Sequence, residues 1–126
     1  MYEQDRASQG LGITISEARP GYAVAEMTIT SHHLNGLDVC HGGLIFTLAD
    51  TAMAFASNAG EATAFAIHAD IDWIRPGLEG VTLVATATTV GGAGRLAIHD
   101  VDITGGGETI ATFRGRTRTV PTKRPS

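Results

Sequence analysis

Cysteine is almost absent: Cys40 is the only one in 126 residues, so no intrachain disulfide forms and a cytoplasmic setting is expected. An excess of basic residues is missing too. Nine Lys and Arg against 13 Asp and Glu leave a net charge of -4, which excludes a general attraction to nucleic acid. The opening MYEQDRASQGLG lacks the basic patch, apolar core and cleavage site of a secretory leader. Residues 42–60 approach the length of a membrane span, but their Asp, Thr, Ser and Asn content and their Ala richness point to a buried helix in a non-membrane protein. His32, His33 and His41 fit no usual metal-ligand spacing, and no further Cys or Glu completes a set, so neither metal nor cofactor is expected. The glycine clusters at 91–94 and 105–107 precede no helix and no Lys-Ser/Thr, and read as turns rather than phosphate loops.

What is present is a chain with 43% hydrophobic residues, enough for one domain over 1–126 with a real core and too short for two. Thr- and Val-rich runs broken by glycine follow Gly60, the pattern of antiparallel strands and turns. The patterning predicts strands over 11–19, 22–30, 62–75, 80–90, 95–104 and 109–119, with a helix over 43–59 between the second and third. Along 62–75, Thr63, Phe65, Ile67, Ala69, Ile71 and Trp73 alternate with Ala64, His68, Asp70 and Asp72, which places the aromatic pair on one face, read as core with the lining of a pocket as the alternative. The expected fold class is α+β, an antiparallel sheet of about six strands wrapped around one long central helix. Residues 119–126, with two prolines and little to bury, are expected to form a flexible tail. Five of the nine basic residues (Arg114, Arg116, Arg118, Lys123 and Arg124) crowd this end, either as a solvated segment or as a contact for a phosphate-bearing ligand.

Between His41 and Asn58 the run HGGLIFTLADTAMAFASN holds a single carboxylate, Asp50. Leu44, Ile45, Leu48, Ala49, Ala52, Met53, Phe55 and Ala56 cover most of the helix circumference, so the helix is expected to be buried nearly all round. Asp50 shares its stripe with Phe46, Thr47, Ala54 and Ser57 and has no cation at helical spacing. Stranding an acid there costs stability unless chemistry uses it.

The His-Gly-Gly turn before the helix supplies a second element. Free N–H groups at a helix N-terminus carry partial positive charge and hold a developing oxyanion, and glycine leaves the backbone open to an approaching carbonyl. Gly42 and Asp50 are eight residues apart, roughly 12 Å along a helix, too far for both to reach one carbonyl. The spacing therefore predicts a homodimer with antiparallel helices, in which Gly42 of one copy faces Asp50 of the other. Cys40 beside His41 suggests a thiolate nucleophile, but adjacent turn residues point apart and no orienting acid accompanies them.

The run from Asn35 to Asn58, followed by IDWIRP at 71–76 and FRGR at 113–116, resembles the hotdog-fold acyl-CoA thioesterases of the phenylacetic-acid-degradation type. The resemblance spans residues 11–119 and is carried by the spacing N-x6-GG-x6-D and the flanking LADTA. It implies hydrolysis of an acyl-CoA, aryl or hydroxyaryl, to free acid and CoA, by a homodimer that assembles as a homotetramer. It also implies Gly42 as backbone oxyanion donor, Asp50 as catalytic carboxylate and Asn35 as the polar residue orienting water or thioester. His41 matches the motif histidine and Thr51 the hydroxyl beside the acid.

Structural alternatives stay open at three of these positions: Asn35 as a turn cap, His41 as a hydrogen-bonder, Thr51 bonded to its own helix. Asp50 as general base and Asp50 as nucleophile forming a mixed anhydride are equally compatible with the sequence. The rival functions are a hydroxyacyl-thioester dehydratase using His41 and Asp50, and a non-catalytic acyl-CoA-binding module.

Overall fold

The computed structural model describes residues 1–121. Six strands form one antiparallel sheet: β1 (Thr14–Arg19), β2 (Tyr22–Thr28), β3 (Thr63–Trp73), β4 (Thr82–Ala93), β5 (Leu96–Gly105) and β6 (Glu108–Val120), in the order β1-β2-β4-β5-β6-β3. The helix α2 (Gly42–Asn58) lies in the concavity of this sheet, between β2 and β3 in the chain. The alternating small and large inward residues of the strands (Ala23, Ala25 and Met27; Leu83, Ala85 and Ala87; Val101 and Ile103) are fully or almost fully buried, and they meet Ile45, Leu48, Ala49, Ala52 and Met53 of the helix. Alanines on both sides let helix and sheet approach closely, while the longer side chains fill the ends of the core.

Gly106 and Gly107, with φ of 60° and 80°, make the two-residue turn between β5 and β6, a conformation only glycine adopts without strain. The turn between β4 and β5 falls later than the Gly91–Gly94 cluster suggested. Strand β4 continues through Gly91 and Gly92 by a bulge after Thr89, and the turn is Gly94-Arg95. At Gly92 a side chain would press into the backbone of Leu96 and Ala97.

Three further features depart from the sequence reading. The first eleven residues contain two short helical pieces, a 3-10 turn at Tyr2–Gln4 and a helix α1 at Arg6–Leu11. Asp5 caps α1: its Oδ1 accepts from Ser8 N at 3.0 Å and its Oδ2 from Ser8 Oγ at 2.7 Å, an arrangement that satisfies a free N–H at the helix start. Thr119 and Val120 do not belong to a flexible tail. They pair with Ala64 and Thr63 of β3, and Thr119 N donates to Arg95 O at 2.8 Å; ladder hydrogen bonds hold a segment that has little apolar surface of its own to bury. The remaining tail positions, 122–126, lie outside the described residues.

The third departure is on β3. A bulge between Ala66 and His68 breaks the alternation: before it Ala66 lies opposite the buried Thr117, and after it Ala69 and Ile71 lie opposite the buried Gly115 and Phe113. An extra residue in one strand reverses which side chains face the core. Phe65 is therefore turned off the core face, whereas Trp73 keeps the parity of Ala69 and Ile71, opposite the buried Ala111, and is exposed at the end of the strand; the two are 61% and 53% exposed, and Ile67 and Ile74 about as much. Strand β3 is also an edge of the sheet, with one ladder side open.

Candidate active site

The helix begins where His41 caps it. His41 Nδ1 accepts from Gly43 N at 3.2 Å, and the His41 carbonyl accepts from Leu44 N at 2.9 Å. The first helical N–H, on Gly42, donates to no group among the described residues. Gly42 lines a hollow of about 300 Å3 together with Asn35, Ile45, Trp73 and Arg75. Trp73 donates from Nε1 to the Gly42 carbonyl at 3.1 Å. A Cβ on residue 42 would lie 3.1 Å from that same nitrogen, so glycine here permits both the tryptophan's approach and access to the backbone.

Asn35 shapes this end. Its Oδ1 accepts from Leu37 N at 2.9 Å and from Val39 N at 3.4 Å, and its own N–H donates to Val39 O at 2.8 Å. These bonds hold the tight loop in which Asp38 takes a φ of 62°. The capping alternative at Asn35 is thus realised through its oxygen, while its Nδ2 donors remain unengaged among the described residues, at the wall of the hollow.

Asp50 lies elsewhere. It lines a hollow of about 450 Å3 between the second half of α2 and the start of β3, with Met53, Ala54, Asn58, Phe65 and Thr117 among its walls. The helix is not buried all round: Thr47, Asp50, Ala54, Ser57 and Asn58 form a half-buried stripe along it. The Asp50 carboxylate accepts no hydrogen bond and meets no cation among the described residues. Burial pushes its pKa above the ordinary aspartate value, because loss of water penalises the charged form and nothing nearby compensates. A carboxylate so placed is a more willing proton acceptor than an exposed one.

Asn58 closes the far end of this hollow. Its Nδ2 donates to Ala54 O at 2.9 Å and Ala64 O at 3.0 Å, and its Oδ1 accepts from Ala64 N at 2.8 Å. One side chain therefore ties the end of α2 to the start of β3, a role that spacing alone did not reveal.

The structure thus brings Gly42, Asn35 and His41 together at one end of the helix and leaves Asp50 at another hollow. Thr51 joins neither. Its Oγ1 donates to Thr47 O at 2.7 Å and lies 3.5 Å from Ser8 Oγ of α1, so its hydroxyl proton is spent inside its own helix. Cys40 is buried, and burial raises its thiol pKa, which disfavours the thiolate a nucleophile requires. His33 is a structural residue: Nδ1 accepts from Thr30 N at 3.0 Å, which leaves Nε2 to donate to Leu11 O at 2.9 Å.

A six-stranded sheet curled around one central helix, with an open N–H at the helix start and an unpaired acid two turns along it, defines a hotdog-fold protein with the parts of an acyl-transfer site. The chain belongs to the thioesterase superfamily, whose sequence profile matches residues 37–112. It is 41% identical over 121 residues to the acyl-coenzyme A thioesterase PaaI of Escherichia coli, covering 95% of this chain and 86% of that one. The solved structure of the E. coli PaaI protein from the phenylacetic acid degradation operon superposes with a TM-score of 0.94 at 40% identity, covering 98% of this chain and 90% of that chain. A mutant form of the phenylacetic acid degradation protein PaaI from Thermus thermophilus matches with a TM-score of 0.85 at 31% identity, covering 90% of this chain and 98% of that chain. No helix among the described residues is long and apolar enough to cross a membrane.

Proposed function

We propose that this protein is an acyl-CoA thioesterase that hydrolyses an aryl- or hydroxyaryl-acetyl thioester to the free acid and CoA, at a site shared between two copies of the chain. The observation that carries this reading is the division of complementary parts between two hollows, an unpaired acid in one and an unengaged N–H donor in the other. The open edge of β3 runs between them. Pairing two β3 edges antiparallel about a two-fold axis near mid-strand sets the Thr63 end of one copy beside the Trp73 end of the other. The Asp50 hollow of each copy then meets the Gly42 hollow of its mate. The same pairing covers Phe65, Ile67, Trp73 and Ile74 and satisfies an exposed ladder edge, which is otherwise a liability.

In this reading the thioester carbonyl oxygen sits against the Gly42 N–H, whose dipole favours the negative charge that develops in the tetrahedral intermediate. Asp50 from the other copy removes a proton from the attacking water, or attacks the carbonyl carbon itself and is released by water from the mixed anhydride. In both routes the C–S bond breaks, CoA leaves as the thiol and the acid is freed. Asn35 Nδ2 orients the water or the thioester, and His41 keeps the helix start in place. Assembly of dimers into a homotetramer and a cytoplasmic location belong to the same reading.

The test is thiol release from a panel of aryl and fatty acyl-CoAs. Steady release with an aryl preference supports the proposal, whereas tight binding without release points to an acyl-CoA-binding module. Mixed dimers test the sharing: copies carrying Asp50→Asn or Asn35→Ala, each inactive alone, regain activity when combined, because one of the two sites in the heterodimer is then intact. Failure to regain it overturns the shared site. Single turnover in 18O-labelled water bears on the chemical route, since label entering Asp50 marks an anhydride opened at the Asp50 carbonyl, and label confined to the product acid excludes that opening and is the result expected of the general-base route.

A further inference from the structure

Thr117 of β6 is buried and lines the Asp50 hollow. Behind it stands His99 of β5, only 1% exposed. Its Nδ1 lies 2.9 Å from Thr89 Oγ1, and its Nε2 lies 2.8 Å from Thr117 Oγ1 and 3.2 Å from Ser57 Oγ. Burial lowers the pKa of His99, so the ring is neutral and carries one proton.

Proton accounting fixes where that proton sits. Ser57 Oγ already donates to Met53 O at 2.8 Å, so towards His99 it only accepts. Nε2 must then carry the hydrogen, shared between Ser57 and Thr117, while the bare Nδ1 accepts from Thr89. With the opposite tautomer, Ser57 and Nε2 would face each other with lone pairs alone. Thr117 Oγ1 is therefore an acceptor towards His99. Its own hydrogen finds no acceptor among the described residues and is left for whatever fills the hollow.

We propose that Thr117, oriented by His99, is a specificity-determining residue that donates a hydrogen bond to an oxygen carried on the distal part of the bound acyl group. This rests on the thioesterase reading above, with the hollow beside Asp50 holding the acyl moiety. Asp50 and Asn58 both line the hollow, and their separation of eight helical residues, roughly 12 Å, leaves room for a substituent well beyond the reacting carbonyl. Beside the polar Glu61 and Thr63, the hollow has apolar walls in Met53, Ala54, Phe65 and Ala66. An oxygen entering them unpaired loses its water without compensation, and the Thr117 hydroxyl supplies that compensation.

The test compares CoA release from phenylacetyl-CoA and from its 3- and 4-hydroxy derivatives. The wild-type protein is expected to favour at least one hydroxylated ester. Thr117→Val, nearly the same shape without the hydroxyl, lowers kcat/KM for that ester about tenfold while phenylacetyl-CoA changes by less than about twofold, and Thr117→Ser restores the preference. His99→Phe keeps a ring without nitrogens and lowers the same ratio, a readout that a packing role alone does not move. Equal effects of Thr117→Val on both kinds of ester, or no wild-type preference, overturn the assignment. Absence of CoA release from every ester by the wild-type protein overturns the thioesterase reading instead.

Discussion

Replacing Asp50 by Asn preserves shape and removes charge, and it is expected to move activity and stability in opposite directions. The carboxylate is half-buried, with no hydrogen-bond donor or cation beside it among the described residues. Desolvation raises its pKa. A carboxylate whose folded pKa lies above its unfolded one adds to stability while protonated and loses that contribution as pH rises through the folded value. At neutral pH the wild-type protein therefore carries an uncompensated cost, on the order of 1 kcal/mol for a partly buried polar group. Asp50→Asn is expected to raise the unfolding free energy by about that amount, with a Tm higher by roughly 3 to 5 °C for a chain of this size. Activity falls about 10²- to 10⁴-fold with loss of the base. Urea unfolding at pH 7 and pH 4, run beside thiol release, checks both. The stability gap closes at the lower pH, where wild-type Asp50 takes up its proton. A variant no more stable than wild type at pH 7, or one that keeps full activity, refutes the picture of an acid stranded for chemistry.

Because burial raises the Asp50 pKa and the proposed mechanism needs the carboxylate ionised, the acid limb of the kcat/KM profile should fall at a pH above that of an exposed aspartate; a limb at or below that value counts against Asp50 as the base. Asn58→Ala removes three hydrogen bonds, and at about 1 kcal/mol each should cost about 2 to 3 kcal/mol in denaturant unfolding. Gly115 lies beneath Met53, and a methyl group there would collide with the Met53 thioether and sit 3.0 Å from Phe113. Since Met53 also lines the Asp50 hollow, Gly115→Ala should drive its side chain into that space and raise KM several-fold for bulky acyl groups, with a stability loss of about 1 kcal/mol. A KM unchanged across the acyl series would show that Met53 yields in another direction.

The order of helix and strands, the His-Gly-Gly start of α2 and the isolation of Asp50 were all legible in the sequence, because each depends on local periodicity or on the residue types present. The β3 bulge was not. Phe65 and Trp73 follow one alternating pattern in the sequence, and only the pairing with β6 shows that an inserted residue sets them on opposite faces of the strand. The N-terminal helix was missed despite a readable signal, since Asp5 and Ser8 stand three residues apart at its cap. Thr51 looked like a partner of Asp50 by adjacency, but neighbouring helical residues point about 100° apart, and its hydroxyl is taken up by Thr47 and faces α1.

By itself the sequence determined which groups are available: one acid without a cation, one glycine turn with an open N–H, and a spacing of eight residues that keeps them apart. Only the tertiary structure decided what each of them faces. It opened the Asp50 stripe onto a hollow, set Gly42 and Asn35 around another, left β3 as an uncovered edge between the two, and stood the His99 ring behind Thr117. Spacing along a helix is a property of the chain, whereas the walls of a cavity come from strands distant in sequence, and their register is set by pairing and packing that no local pattern encodes.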